Sequence, residues 1–175
     1  AGLKEGGTGI YPLLYFDMNW SVPACIVLDH YTAYGLEQDE NNSIGAGGTL
    51  NPDNGKIQAF WTGEYAIAAR ANSVIYGAKD AVAGMSDAAR QYYAEARVLR
   101  AYAYYNLVSA FGDVPFFTAP VTIDEYQSGR TPKGDIIDFL IEDLNDAADY
   151  LPWTGTERGR VDKAVAYGLI ARIGL

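Results

Sequence analysis

Apolar positions recur at steps of three and four through most of the second half of the chain, and they predict four helices there. The first spans about Gln58 to Ala78, with Trp61, Tyr65, Ala68, Asn72 and Ile75 on one face. The second spans about Ser86 to Phe111. Its stripe is Tyr92, Ala96, Leu99, Ala103, Leu107 and Ala110, and Ser86 can accept a bond from the free amides of its first turn. Gly112 tolerates the backbone conformation that ends helices, and Pro115 forbids resumption while holding Val114 extended. The third opens at Thr131-Pro132, carries Ile137, Leu140, Ile141, Leu144, Ala148 and Leu151, and stops at Leu151-Pro152. The fourth starts near Val161, and Val165, Ala166, Leu169, Ile170, Ile173 and Leu175 keep its period to the last residue.

Short connections join the first helix to the second and the third to the fourth, as helical hairpins require, while the longer Phe111 to Arg130 segment links the pairs. Ala101-Tyr102-Ala103-Tyr104 and Ala164-Val165-Ala166-Tyr167 hold similar places in the two pairs, and their small residues allow close helix approach. The pattern predicts an all-α fold of tetratricopeptide-like stacked helical hairpins over residues 58–175. Residues 1–57 read as an N-terminal helix and loop region. Ile10 to Asn19 suits one helix there, and Gly45–Gly48 and Asn51–Gly55 mark turns. Helical periodicity unbroken at Leu175, with no cap or polar tail, predicts a chain truncated at its C-terminus.

Composition narrows the chemistry. The 175 residues suit one domain, and 49% hydrophobic against 20% charged residues predicts a folded chain. A net charge of −9 argues against nucleic acid and anionic membranes as partners. No run of roughly eighteen apolar residues exists to cross a bilayer as a helix. The single cysteine, Cys25, excludes an internal disulfide. Val22-Pro23-Ala24-Cys25 superficially resembles a lipoprotein cleavage box, but the preceding Asp17, Asn19 and Trp20 break the basic-then-apolar layout, so Cys25 reads as a small buried thiol.

Signals for catalysis are thin. His30 is the only histidine, and beside Asp29 it reads as a surface or packing residue rather than part of a triad. Asp29, Glu37, Asp39 and Glu40 could supply a glycosidase pair, as could any acidic loop. Glu37 to Ser43 offers oxygens to calcium but lacks the glycine and terminal glutamate of an EF-hand, and Asn41-Asn42-Ser43 fits a glycosylation site only in a eukaryotic secreted setting. No catalytic residue, metal ligand or cofactor is predicted. Fourteen Tyr, three Trp and six Phe point instead to binding, because sugar rings lay apolar faces on aromatic planes. Tyr65, Tyr92, Tyr104 and Tyr167 fall on helical stripes and are expected to pack. Trp20, Tyr31, Tyr34 and Trp61, the last at its helix start, are the candidate ligand-binding residues. Arg97 and Arg100, with Glu95, read as ordinary pairing on a helix surface.

The run Glu95-Ala96-Arg97-Val98-Leu99-Arg100-Ala101 with Tyr104, Leu107-Val108, Phe111-Gly112-Asp113 and Val114-Pro115 resembles a signature of the SusD/RagB family, with Val98 where that family usually has an aromatic. Trp61, Tyr65 and Ala71-Asn72 resemble its preceding helix. Asp143-Leu144, Ala147, Leu151-Pro152, Gly159-Arg160 and Leu169 to Arg172 resemble elements that follow. The resemblance implies tetratricopeptide-like helices and a non-catalytic surface lipoprotein. Such a protein would bind a glycan, or less often a peptide or other nutrient, for a TonB-dependent, SusC-like outer-membrane transporter. The anchoring cysteine would then lie upstream of Ala1, and much of the ligand site beyond Leu175. Two rival readings are a tetratricopeptide-like adaptor for proteins and a carbohydrate-active hydrolase.

Overall fold

Each of the four predicted helices forms where an apolar stripe coincides with a start and a stop. The computed structural model describes residues 2–15, 17–19, 22–23, 53–122, 128–155 and 157–175. Among them stand α1 (Gly2–Thr8), α2 (Gly55–Ala78), α3 (Asp87–Phe111), α4 (Lys133–Ala148) and α5 (Lys163–Ile173), with one short antiparallel pair, β1 (Asp17–Asn19) and β2 (Val22–Pro23). Helices α2 to α5 pack in chain order, each on the next, giving the mostly helical, tetratricopeptide-like stack.

The caps explain the boundaries. Asn54 Oδ1 accepts from the amides of Lys56 and Ile57 at 2.9 and 3.4 Å, so α2 begins at Gly55 rather than near Gln58. Ser86 Oγ accepts from the Ala89 amide at 3.4 Å, and Asp162 Oδ1 from that of Val165 at 3.0 Å. Helix α3 ends at Gly112, whose φ of 73° disfavours a residue with a side chain. The cap of α4 comes from across the connector: Asp113 Oδ1 accepts from the Lys133 amide at 2.8 Å. The neighbouring Thr131 amide donates to Val114 O at 2.9 Å, closing the connector at its base.

The core centres on α3, which is covered by α2 on one side and α4 on another. Ala96, Leu99, Ala103 and Leu107 are buried as predicted, and Ala94, Val98, Ala101, Tyr104 and Val108 join them, so this helix is apolar well beyond a single stripe. Ala110, the predicted end of the stripe, is exposed. On α4 the buried line runs through Ile136, Leu140, Leu144 and Ala147, with Ile137 and Ile141 at its margin. Burying a large side chain such as Leu140 or Ile67 contributes about 1.5–3 kcal/mol against leaving it in water.

The N-terminal region departs from expectation. Ile10 to Asn19 is not one helix: Tyr11–Leu14 makes a single 3₁₀ turn with Pro12 in its first positions, and the chain then turns extended into β1. Pro12 lacks an amide to continue a helix, and Tyr15 already has non-helical angles. Helix α1 was not predicted, because three of its residues are glycines. Packing overrides that weak propensity: a Cβ on Gly6 would stand 3.1 Å from the Val74 side chain, so glycine lets α1 lie close against α2.

Candidate ligand-binding site

The connector between α3 and α4 is held by side chains of α2 and α3. Tyr65 Oη donates to Pro115 O at 2.6 Å. Tyr104 Oη accepts from the Phe117 amide at 2.9 Å and donates to Phe117 O at 3.1 Å, which also accepts from Asn72 Nδ2 at 2.7 Å. Arg100 Nη1 donates to Asn72 Oδ1 at 3.2 Å and to Thr118 O at 3.4 Å. Each such backbone group, buried and unpaired, would cost about 1–3 kcal/mol. Burial raises the phenols of Tyr65 and Tyr104, the latter to about 12, so both stay protonated and able to donate.

Glu95, Arg97 and Arg100 are not in surface pairs. Arg100 is buried, and its Nη2 lies 2.7 Å from Asp143 Oδ2 of α4. Arg97 grips the other oxygen, with Nε donating to Oδ1 at 2.7 Å and Nη2 at 2.6 Å from it. Glu95 is wholly enclosed. Arg160 Nη2 lies 2.7 Å from its Oε2 and Arg160 Nε donates to its Oε1 at 3.2 Å. Tyr11 Oη donates to Glu95 Oε2 at 2.7 Å and accepts from the Val161 amide at 3.0 Å. Periodicity located the face of α3 but not these partners, which come from distant stretches of chain. The elements singled out in sequence are therefore one another's ligands: Arg97 and Arg100 for Asp143, Glu95 for Arg160.

Trp61 sits half-buried near the start of α2, its ring 4.8 Å from that of Tyr65 and 4.9 Å, edge to face, from Phe111. It borders two hollows. One, about 590 Å³, runs between α2 and the connector, past Tyr65, Ala69, Ser73 and the Phe117–Val121 stretch. The other, about 580 Å³, is bounded by Asp53, Ile57, Gln58 and Phe111. Both volumes suit small-molecule binding, and they combine aromatic walls with a few polar groups. Three residues after Trp61 on α2, Glu64 is only 2% exposed. Its Oε1 accepts from Asn106 Nδ2 at 2.8 Å, Oε2 has no hydrogen-bond partner among the described residues, and burial raises its pKa to about 8. At neutral pH this is a neutral acid inside the scaffold.

Of the four predicted ligand-binding residues, Trp61 alone can be placed. Trp20, Tyr31 and Tyr34 lie outside the described residues, as do Cys25, Asp29, His30 and the Glu37 to Ser43 run. Tyr104 packs as expected, and Tyr92 is half-buried with the Arg160 guanidinium 4.8 Å from its ring. Tyr167, expected to pack, stands 41% exposed beside Trp153, which is 68% exposed. Trp153 follows Leu151-Pro152, lies off every predicted stripe and was not singled out in the sequence.

A SusD-like family model, described as starch-binding associating with outer membrane, matches residues 2–175. SusD-like protein P2 of Formosa agariphila is 34% identical over 131 residues, which make up 73% of this chain and 25% of that protein. A solved SusD-like carbohydrate-binding protein from Bacteroides fragilis superposes with a TM-score of 0.83 at 24% identity, over 98% of this chain and 36% of the other. Surface glycan-binding protein A from Bacteroides thetaiotaomicron, solved with laminarihexaose, gives 0.73 at 20% identity, over 98% and 38%. The two superpositions show a shared fold. The chain spans a quarter of the length of its curated relative and little more than a third of the solved ones. With residues 2–175 inside the family model, and with its signature residues bonded to one another, the chain belongs to the SusD-like family.

Proposed function

We propose that the protein is a non-catalytic binder of glycans, or less often of peptides or other nutrients, on the surface of a bacterial outer membrane. A lipid on a cysteine upstream of Ala1 anchors it, and it passes its ligand to a SusC-like, TonB-dependent transporter. The observation that carries this reading is the family match across residues 2–175. A structural relative solved with laminarihexaose supports a glycan as ligand. The chemistry of the scaffold agrees. Asp143 and Glu95 are neutralised by arginines, and Glu64 is enclosed, so these carboxylates serve packing rather than bond cleavage. Trp61, between its two hollows, is the proposed ligand contact on α2, with Trp20, Tyr31 and Tyr34 completing the set on residue chemistry alone.

Affinity electrophoresis and calorimetry of the full-length protein against starch, laminarin, xylan and a peptide mixture test this reading, together with co-purification of an outer-membrane transporter. Retention by at least one ligand without its hydrolysis is expected. No retention by any class, with no associated transporter, overturns the reading. Shortened glycan products would replace it with a hydrolase.

A further inference from the structure

We infer that, of the two hollows beside Trp61, the one at the start of α2 seats one pyranose ring of a neutral glycan, with Gln58 and Asp53 reading its hydroxyls. The inference rests on the glycan-binding reading above and gives it a subsite and a ligand class. What carries it is the difference between the two hollows in free hydrogen-bonding capacity.

The hollow along the connector has most of its polar side chains committed to the protein. Tyr65 Oη donates to Pro115 O, and Ser73 Oγ donates to Ala69 O at 3.0 Å. Asn72 uses Nδ2 on Phe117 O and Oδ1 on Arg100, while Tyr104 Oη both donates to and accepts from the Phe117 backbone. Apart from Thr62, the rest of its lining is alanine, proline, aromatic ring and Val121. A sugar hydroxyl placed there would give up water with little to replace it.

The hollow at the start of α2 is built differently. Asp53, Ile57, Gln58, Trp61 and Phe111 bound it. The Trp61 and Phe111 ring planes meet at 82°, so the apolar wall is a corner, matched to the C–H groups of a single sugar ring rather than to a longer stack. Exposed Asp and Gln are ordinary on a surface, but here they flank that wall, which sets polar groups beside an apolar one as binding sites do. The Gln58 side chain makes no hydrogen bond to another described residue, so its amide offers donors and an acceptor to a pair of adjacent hydroxyls. The Asp53 carboxylate adds an acceptor for a hydroxyl proton. The same negative charge works against uronate and sulfate groups, which selects a neutral glycan.

The backbone that carries these groups is fixed without a ligand. Asn54 Oδ1 accepts from the Lys56 and Ile57 amides, and the Gln58 amide donates to Asn54 O at 3.1 Å. Gln58 stands three residues before Trp61 on α2, so the two share one side of the helix. Little ordering of the main chain is then left to oppose binding.

The test compares the full-length wild type with Gln58→Ala, Asp53→Ala and Ala69→Leu by affinity electrophoresis in laminarin, starch, xylan and alginate. Far-ultraviolet circular dichroism checks that each variant folds. Retention by at least one of the three neutral glycans and none by alginate, a polyuronate, is expected of the wild type. Gln58→Ala and Asp53→Ala should each weaken that retention roughly three- to tenfold, the loss of one hydrogen bond. Retention that survives both substitutions overturns the subsite. If it falls instead in Ala69→Leu, which fills the other hollow, the sugar lies against the connector. Stronger retention by alginate than by the neutral glycans overturns the ligand class. In each of these cases the glycan reading stands, whereas absence of any retention by the wild type sinks both.

Discussion

Two buried carboxylates fasten α3, and they are neutralised on different plans. Asp143 reaches it from α4 and meets two guanidiniums, Arg97 and Arg100, one on each oxygen. The surplus positive charge is spread onward: Arg100 donates to Asn72 and Thr118 O, and Arg97 lies 3.6 Å from the exposed Asp146. Glu95 lies on α3 itself and has one guanidinium, Arg160, with neutral donors Tyr11 and Gln91 completing its shell. The first cluster locks neighbouring helices and the connector between them. The second gathers the N-terminal turn and the loop before α5 around a single point. Glu64 completes the series, since Asn106, a neutral amide, is its bonding partner and no cation among the described residues pairs with it. The series teaches that a buried acid's effect on stability depends on the cations its removal would strand.

The sharpest way to break the comparison is Asp143→Ala. Two guanidiniums would lose their anion, one of them deeply buried, and breaking a buried pair costs about 3–5 kcal/mol. A matching fall in the urea midpoint at unchanged slope is expected. Glu95→Ala should cost less, roughly 2–3 kcal/mol, because Arg160 keeps Thr8 Oγ1 at 3.2 Å and Glu157 at 3.7 Å, at the wetter edge of its site. Equal losses in the two variants would refute the distinction between the clusters.

Glu64 should reverse the sign. Its pKa in the folded chain is raised from 4.5 to about 8, so the native state holds a proton that the unfolded chain has released. Its contribution to stability is therefore full below about 4.5 and fades as pH rises to and through about 8. Glu64→Gln keeps an acceptor for Asn106 and removes the ionisation. It is expected to flatten the fall in stability between pH 5 and 8.5, with a gain on the order of 2 kcal/mol at the upper end. A variant whose urea midpoint tracks that of the wild type across this range would show that Glu64 is ionised without penalty.

What could be read beforehand follows from the same physics. The stripes of α2 to α5 and the caps at Ser86 and Gly112 are local, and a single sequence carries them, whereas α4 closes at Ala148, a turn before the expected stop at Leu151-Pro152. The pairing of Glu95 with Arg160 is not local. A period of 3.6 places Glu95 on a face of α3, yet nothing near it in sequence reveals a cation on the loop before α5. Gly6, a poor helix former, is what lets α1 approach Val74 of α2, so the formation of α1 depends on a contact invisible to propensity. At the candidate site, Trp61 was singled out from its place at a helix start, and the fold sets it beside two hollows. Tyr167 was misjudged because its stripe position matched that of Tyr104, although α3 packs on both α2 and α4 whereas α5, among the described residues, packs mainly on α4.

The smallest expected effect concerns a bond between neutral groups, and it tests whether the connector is held by charge or by the tyrosines. Tyr65→Phe removes the hydroxyl that donates to Pro115 O at 2.6 Å and leaves the ring against Trp61. A net hydrogen bond contributes about 1 kcal/mol, and the carbonyl left behind borders the hollow beside α2, where water can replace the phenol. The variant should therefore lose about 1 kcal/mol while amide exchange at Phe117, held independently by Tyr104, stays protected. If exchange at Phe117 also accelerates, the tyrosines act as one clamp, and the connector depends on them more than on Arg100. Unchanged exchange would assign the inner half of the connector to Tyr104, Asn72 and Arg100, and leave Tyr65 to set the wall on which Trp61 rests.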